Sequence, residues 1–214
     1  MAQSLSLFDP IVDPERMNPA FVVLATSPMS EATRRMMDDV FQRMPTKEPH
    51  FIEQFQTTAF DQRVWELALF VSLVELGFHV EMPSPAPDFA CVSDNEKFLI
   101  EATTANAPMV DGKRIAPPST FEEFRNQLEI AVDVDQDEVA IRMGSALFSK
   151  SQRAYHNLDH VRGTPLLLAI EPFFDVGALW RSETTLVRYL YGTDIAVVES
   201  AGERAVLYAE VVEH

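Results

Sequence analysis

Residues 60–77 read FDQRVWELALFVSLVELG, and their apolar positions run nearly all the way round a helix. A helix apolar on most sides is buried on more than one of them, and Gly77 supplies its stop. The period then shortens. Residues 78–81, 88–92 and 97–103 read as strands, the last two joined by the tight turn Ser93-Asp94-Asn95-Glu96. Upstream, residues 31–43 carry a stripe of Met36, Val40 and Phe41 continued by Met44, with Ser30 as N-cap and Pro45 beyond the end. Residues 50–58 form a second short helix. Downstream, 105–119 read as a loop holding Asp111-Gly112 and Pro117-Pro118. Helices follow at 121–131, capped by Thr120, and at 138–156, reached through the acidic stretch 133–138. Residues 165–171 are expected as a fully buried strand, 183–191 as a helix capped by Ser182, and 194–198 and 205–212 as closing strands. This order predicts an α/β sandwich around a mixed sheet.

The first 28 residues follow another logic. Pro10, Pro14, Pro19 and Pro28 favour an extended path over a helix. Leu5, Leu7, Phe8, Ile11, Val12 and the run Phe21–Leu24 are too apolar for disorder. The chain therefore divides into a proline-rich, extended N-terminal arm over 1–28, packed on the body or on a partner subunit, and a single α/β domain over 29–214.

Composition narrows the classes. With 214 residues and 47% hydrophobic residues, a sizeable core is attainable. A formal net charge of -16 disfavours loose binding to nucleic acid or an anionic membrane, yet leaves a local cleft open. Cys91 is the only cysteine, so neither an internal disulfide nor a thiolate zinc cluster can form. Residues 1–20 lack the charged start and apolar core of a secretory signal, and no apolar run is long enough to span a bilayer. A reduced cytoplasm is the expected compartment.

Three acids stand out. Glu66 lies in the apolar helix, where a buried carboxylate needs a partner, a metal or a raised pKa. Asp88 follows Pro87 at the start of a strand. Glu101 closes the apolar run Phe98-Leu99-Ile100, and antiparallel pairing through the 93–96 turn would set it across from Asp88. Hard oxygen ligands of this kind suit Mg²⁺ or Mn²⁺, which take one or two carboxylates and leave positions for water and phosphate oxygens. Singly, Glu66 reads as a helix acid, Asp88 as a turn residue and Glu101 as a partner for arginine; together they point to a site.

With these residues in this order, the chain resembles the PD-(D/E)xK nuclease superfamily, well over residues 60–105 and loosely over 138–172. Pro87-Asp88 is similar to its PD, Glu101-Ala102-Thr103 to its (D/E)xK with the lysine replaced, and Glu66 to the acid on its first core helix. The resemblance implies a restriction-endonuclease-like fold, a mixed central β-sheet flanked by helices, and metal-dependent hydrolysis of DNA. It also implies catalytic roles for Glu66, Asp88 and Glu101, with Asp88 and Glu101 on Mg²⁺ or Mn²⁺, and a homodimer. Of the four lysines, Lys47, Lys97, Lys113 and Lys150, the last lies in the helix after the hairpin and is the candidate to replace the motif lysine. Gln152, Arg153 and Tyr155 would support it or contact phosphate.

Arg142, Lys150, Arg153 and Arg162 gather where acids are few; Arg142, Gln152 and Arg153 are the candidate nucleic-acid contacts, against the plainer reading of a solvated face. Lys113 and Arg114 would add to a DNA-facing rim. His156 and His160 have the i, i+4 spacing of a zinc pair but lack the glutamate of HExxH. Cys91 reads as a small core residue, and Ser145 lacks the second glycine of a nucleophile elbow. Two alternatives stand beside the nuclease: a catalytically inactive nuclease-like fold that binds a protein partner, and a hydrolase of unrelated chemistry.

Overall fold

Alternating residues after Gly77 build the sheet. In the computed structural model, the described residues run from 6 to 211, except 47–49, 84–85, 95, 107–117, 119, 133–135, 175–176, 179–183, 192 and 201–202. Strands β1 (His79–Glu81), β2 (Phe89–Val92) and β3 (Lys97–Asn106) form an antiparallel meander, and β4 (Leu166–Phe173) joins β3 in parallel. The protein is thus a mixed α/β structure with a four-stranded mixed sheet flanked by helices. Strands β5 (Thr193–Ser200) and β6 (Glu203–Val211) make a separate antiparallel pair.

Seven helices accompany them among the described residues: α1 (Pro19–Thr26), α2 (Glu31–Arg43), α3 (Phe51–Gln56), α4 (Phe60–Glu75), α5 (Phe121–Val132), α6 (Gln136–Ser151) and α7 (Thr184–Tyr191). The two sheet faces follow from strand alternation. Phe89, Cys91 and Ile100 join the larger core, made with Phe51 and Phe55 of α3, Leu67 and Phe70 of α4, and Val40 of α2. Ala90 and Leu99 face the other way, against Tyr155 and Val161, and Ala105 on the same side meets Val139 of α6. So α4 covers one face and α6 the other, with β3 between them. Trp65 fastens α4 to the sheet by donating Nε1–H to the carbonyl of Ala169 on β4 at 3.1 Å.

Several expectations change. The proline-rich segment is not extended throughout: Pro19 opens helix α1, and Asn18 caps it by accepting from the Ala20 amide at 2.8 Å. A proline at the first helical position loses only a hydrogen bond that has no helical partner there, so it starts helices as readily as it breaks them. This segment reaches the core through Leu7 and Phe21. The buried Gln56 holds it, donating to the carbonyls of Leu7 and Asp9 and accepting from the Ile11 amide. In α2 the inward stripe is Met37, Val40 and Met44, while Met36 is 60% exposed. Positions 37, 40 and 44 share a helix face and position 36 is rotated off it. Ser30 ends a 3-10 turn, and its side chain makes no capping bond. Helix α6 ends at Ser151, before Arg153 and Tyr155. Strand β4 is not fully buried: it has a single neighbour among the described strands, and Leu167 is 52% exposed. Thr120 does cap α5, in a reciprocal box with Glu123. Lys47, Lys113, Arg114, Asp111-Gly112 and the expected Ser182 cap lie outside the described residues, as do the side chains of the acidic stretch 133–138.

Candidate active site

The site is assembled on β3. The β2–β3 register pairs Phe89 with Ile100, which brings Asp88, one residue before β2, opposite Glu101. Asp88 is fixed by the backbone beside it: its Oδ2 accepts from the Ala102 amide at 2.7 Å. Burial, then the nearby carboxylates of Glu66 and Glu101, raise its pKa from 3.8 to about 7; the Ala102 bond and Lys150 work the other way. A carboxyl in this setting keeps its proton up towards neutral pH.

Glu101 is buried, at 3% exposure. Its face of β3 looks towards α6, and Lys150 from the last turn of that helix donates Nζ–H to Glu101 Oε1 at 2.5 Å. Thr103, where the motif lysine would stand, is buried on the same face as Glu101. The other oxygen of Glu101, Oε2, is buried and has no hydrogen-bond donor among the described residues. Tyr155 lies alongside: burial, then the Glu101 carboxylate, push its phenol up, while Arg153 acts against them. Its buried hydroxyl lies close enough to the Glu101 carboxylate and to Arg153 to interact with both, though no pairing meets full hydrogen-bond geometry.

Glu66, 1% exposed on α4, is differently held. Its Oε2 accepts from Arg63 Nη1 at 2.5 Å and its Oε1 from Gln62 Nε2 at 2.9 Å. Gln62 also reaches the carbonyl of Ala102 at 3.3 Å. Arg63 is fixed in turn by Gln54, whose Oε1 accepts from Nε at 3.0 Å, and by the Phe51 ring, 4.8 Å from the guanidinium carbon. Neither Gln62 nor Arg63 stood out in the sequence. The available signal was a polar pair on an apolar helix, placed four and three residues before a buried acid, where side chains on one helix face meet.

The structure thus brings Glu66, Asp88, Glu101 and Lys150 into one neighbourhood. The three acids do not close into a ready cage: among the described residues no group of three His, Cys, Asp or Glu side chains stands arranged to hold a metal. The donor set nonetheless fits a small hard cation. Two carboxylates suffice for Mg²⁺, and Glu101 Oε2 is a buried acceptor with the Tyr155 phenol beside it and no well-formed hydrogen bond.

The other candidates divide. Gln152 and Arg153 are exposed in the turn after α6, not on the helix expected over 138–156. Arg142 is half-buried roughly two turns before Lys150. Arg162 pairs with Asp159 on the surface at 3.4 Å. His156 sits in the 3-10 turn Tyr155–Asn157 and His160 beyond it, so no helical histidine pair exists. His160 Nε2 instead lies 2.6 Å from the carbonyl of Ala86, just before Pro87-Asp88. Cys91 is packed in the α4-side core, where burial pushes its thiol up to about 11, the reverse of a nucleophile's need. Ser145 is exposed on α6 and donates to the Ile141 carbonyl.

No protein-family model, no curated protein and no solved structure matches the chain. Among the described residues, no helix is long and apolar enough to cross a membrane.

Proposed function

We propose that the protein is a divalent-metal-dependent nuclease that hydrolyses DNA phosphodiester bonds, a divergent PD-(D/E)xK member with a restriction-endonuclease-like fold. One observation carries the reading: Lys150 arrives from α6 at the carboxylate of Glu101, beside Asp88, and so provides on another element the ammonium that Thr103 cannot. Asp88 and Glu101 are the residues that would hold Mg²⁺ or Mn²⁺. A bound divalent cation would offset charge on the scissile phosphate and favour ionisation of the attacking water.

The chain's own groups have separable tasks. Asp88 keeps its orientation through the Ala102 amide and gives up its proton near neutral pH. Glu101 presents Oε2 while Oε1 anchors Lys150. Lys150 carries a positive charge held by this pair, suited to stabilising the charge that grows on phosphate oxygens or to orienting the nucleophile. Exposed Gln152 and Arg153, with Arg142 further along α6, would meet the DNA backbone. A local basic edge of this kind serves phosphate contact despite the net charge of -16.

The test is Mn²⁺-dependent cleavage of linear and single-stranded DNA by the wild type, Asp88→Ala and Lys150→Ala. Loss of cleavage in both variants supports the enzyme and the displaced lysine together. Loss in Asp88→Ala alone keeps the enzyme and removes Lys150 from its chemistry. A wild type that neither cleaves nor binds Mn²⁺ by calorimetry overturns the reading in favour of an inactive nuclease-like fold that binds a protein partner.

A further inference from the structure

Three acids meet at β3, but their oxygens are not equally available. Both oxygens of Glu66 accept bonds from its own helix, one from Gln62 and one from Arg63. The arginine is held from behind by Gln54 and the Phe51 ring, and only 8% of it is exposed. Gln62 bonds the carbonyl of Ala102, the residue whose amide holds Asp88, so one β3 residue, through the two peptide groups that flank it, links α4 to the Asp88 carboxylate. Glu101, by contrast, keeps Oε2 without a donor.

We propose that Arg63, with Gln62, is a positioning residue that withholds Glu66 from the cation, so that the centre works with two protein carboxylates and not three. The inference rests on the nuclease reading and deepens it by giving Glu66 an outer role. The physical reason is coordination number. Magnesium and manganese in phosphodiester chemistry keep positions open for water and for phosphate oxygens. A third carboxylate would bind the cation more tightly while filling a position that the substrate needs. A buried guanidinium paired with Glu66 cancels its charge and fixes its rotamer at once. Outer partners of this kind commonly change metal affinity or activity by about 10- to 100-fold when removed.

The experiment compares Mn²⁺ affinity by calorimetry with the cleavage rate at saturating Mn²⁺, in the full chain. Arg63→Met frees Glu66; Mn²⁺ should bind about tenfold tighter while saturated cleavage falls by about tenfold or more. Arg63→Lys, which keeps the charge, should restore most of the rate. The double variant Arg63→Met/Glu66→Gln removes the pair as a neutral unit and guards against misfolding of the single variant. It should bind Mn²⁺ within about threefold of the wild type, since neither side chain would be a ligand. A tenfold loss of affinity in the double variant, or unchanged or weaker binding in Arg63→Met, overturns the inference even if Asp88→Ala has established the nuclease. A wild type that binds no Mn²⁺ overturns the nuclease reading, and this inference falls with it.

Discussion

Glu66 on α4 and Glu101 on β3 are both buried glutamates beside Asp88, yet their surroundings differ in kind. Glu66 is satisfied within its own helix, by partners three and four residues away. Glu101 draws its partner from 49 residues further along the chain and leaves its second oxygen unmet. A buried carboxylate whose oxygens are engaged contributes to structure and local field. One with a free oxygen stores an unmet demand that a cation can satisfy. The contrast separates two environments that the residue type alone does not.

The sharpest way to break the contrast is on the Glu101 side. Glu101→Ala should reduce Mn²⁺-dependent cleavage by about a thousandfold, the several kcal/mol of charge stabilisation that a lost cation represents. Cleavage near the wild-type rate would show that Glu101 is no ligand. Lys150→Met should lower the rate by about a hundredfold. It should also cost about 3 kcal/mol in denaturant-monitored stability, because it leaves the Glu101 carboxylate buried and unpaired. Adding Glu101→Gln should recover most of that stability and none of the activity; failure to recover would mean that the pair matters little to the fold.

The third effect concerns pH. An acid with a raised folded-state pKa stabilises the fold fully below its unfolded value, 3.8 for Asp88, and loses that contribution as the pH rises through about 7. The metal-free protein should therefore lose stability from this group between about pH 5 and pH 8, on the order of 2 to 3 kcal/mol. Asp88→Asn should remove this slope from equilibrium unfolding curves, and Mn²⁺ should counteract it by favouring the ionised form. An unchanged slope in Asp88→Asn would assign the pH dependence elsewhere. The smallest effect is a control far from the contrast. Thr120→Ala removes the α5 capping box and should cost about 1 kcal/mol without altering Mn²⁺ affinity, which separates loss of stability from loss of the site.

Local patterns carried much of the fold. The apolar run of α4, the Ser93–Glu96 turn and the Thr120 cap are short-range features, and each is found where the pattern predicts it. Where local rules compete, the pattern misled. Pro19 starts a helix that Pro10, Pro14 and Pro28 argue against, and Met36 points outward because packing chose the phase of Met37. Strand β4 reads as buried from its composition, but its burial depends on how many strands flank it, which no local window contains. The exposed position of Arg153 follows from where α6 stops, not from helical periodicity.

Residue order alone established which acids were candidates, that Thr103 stands where a lysine was expected, and that few lysines could replace it. Strand alternation and the short turn also put Asp88 and Glu101 across from one another, because side-chain direction and hairpin register are local consequences of backbone geometry. Tertiary packing alone decided the partners. The parallel β3–β4 pairing, with α6 on one face and α4 on the other, sets Lys150 against Glu101 and brings Glu66, already paired with Arg63, beside Asp88. Charges act through distance in three dimensions, and 49 residues of intervening chain carry no local signal of which ends will meet.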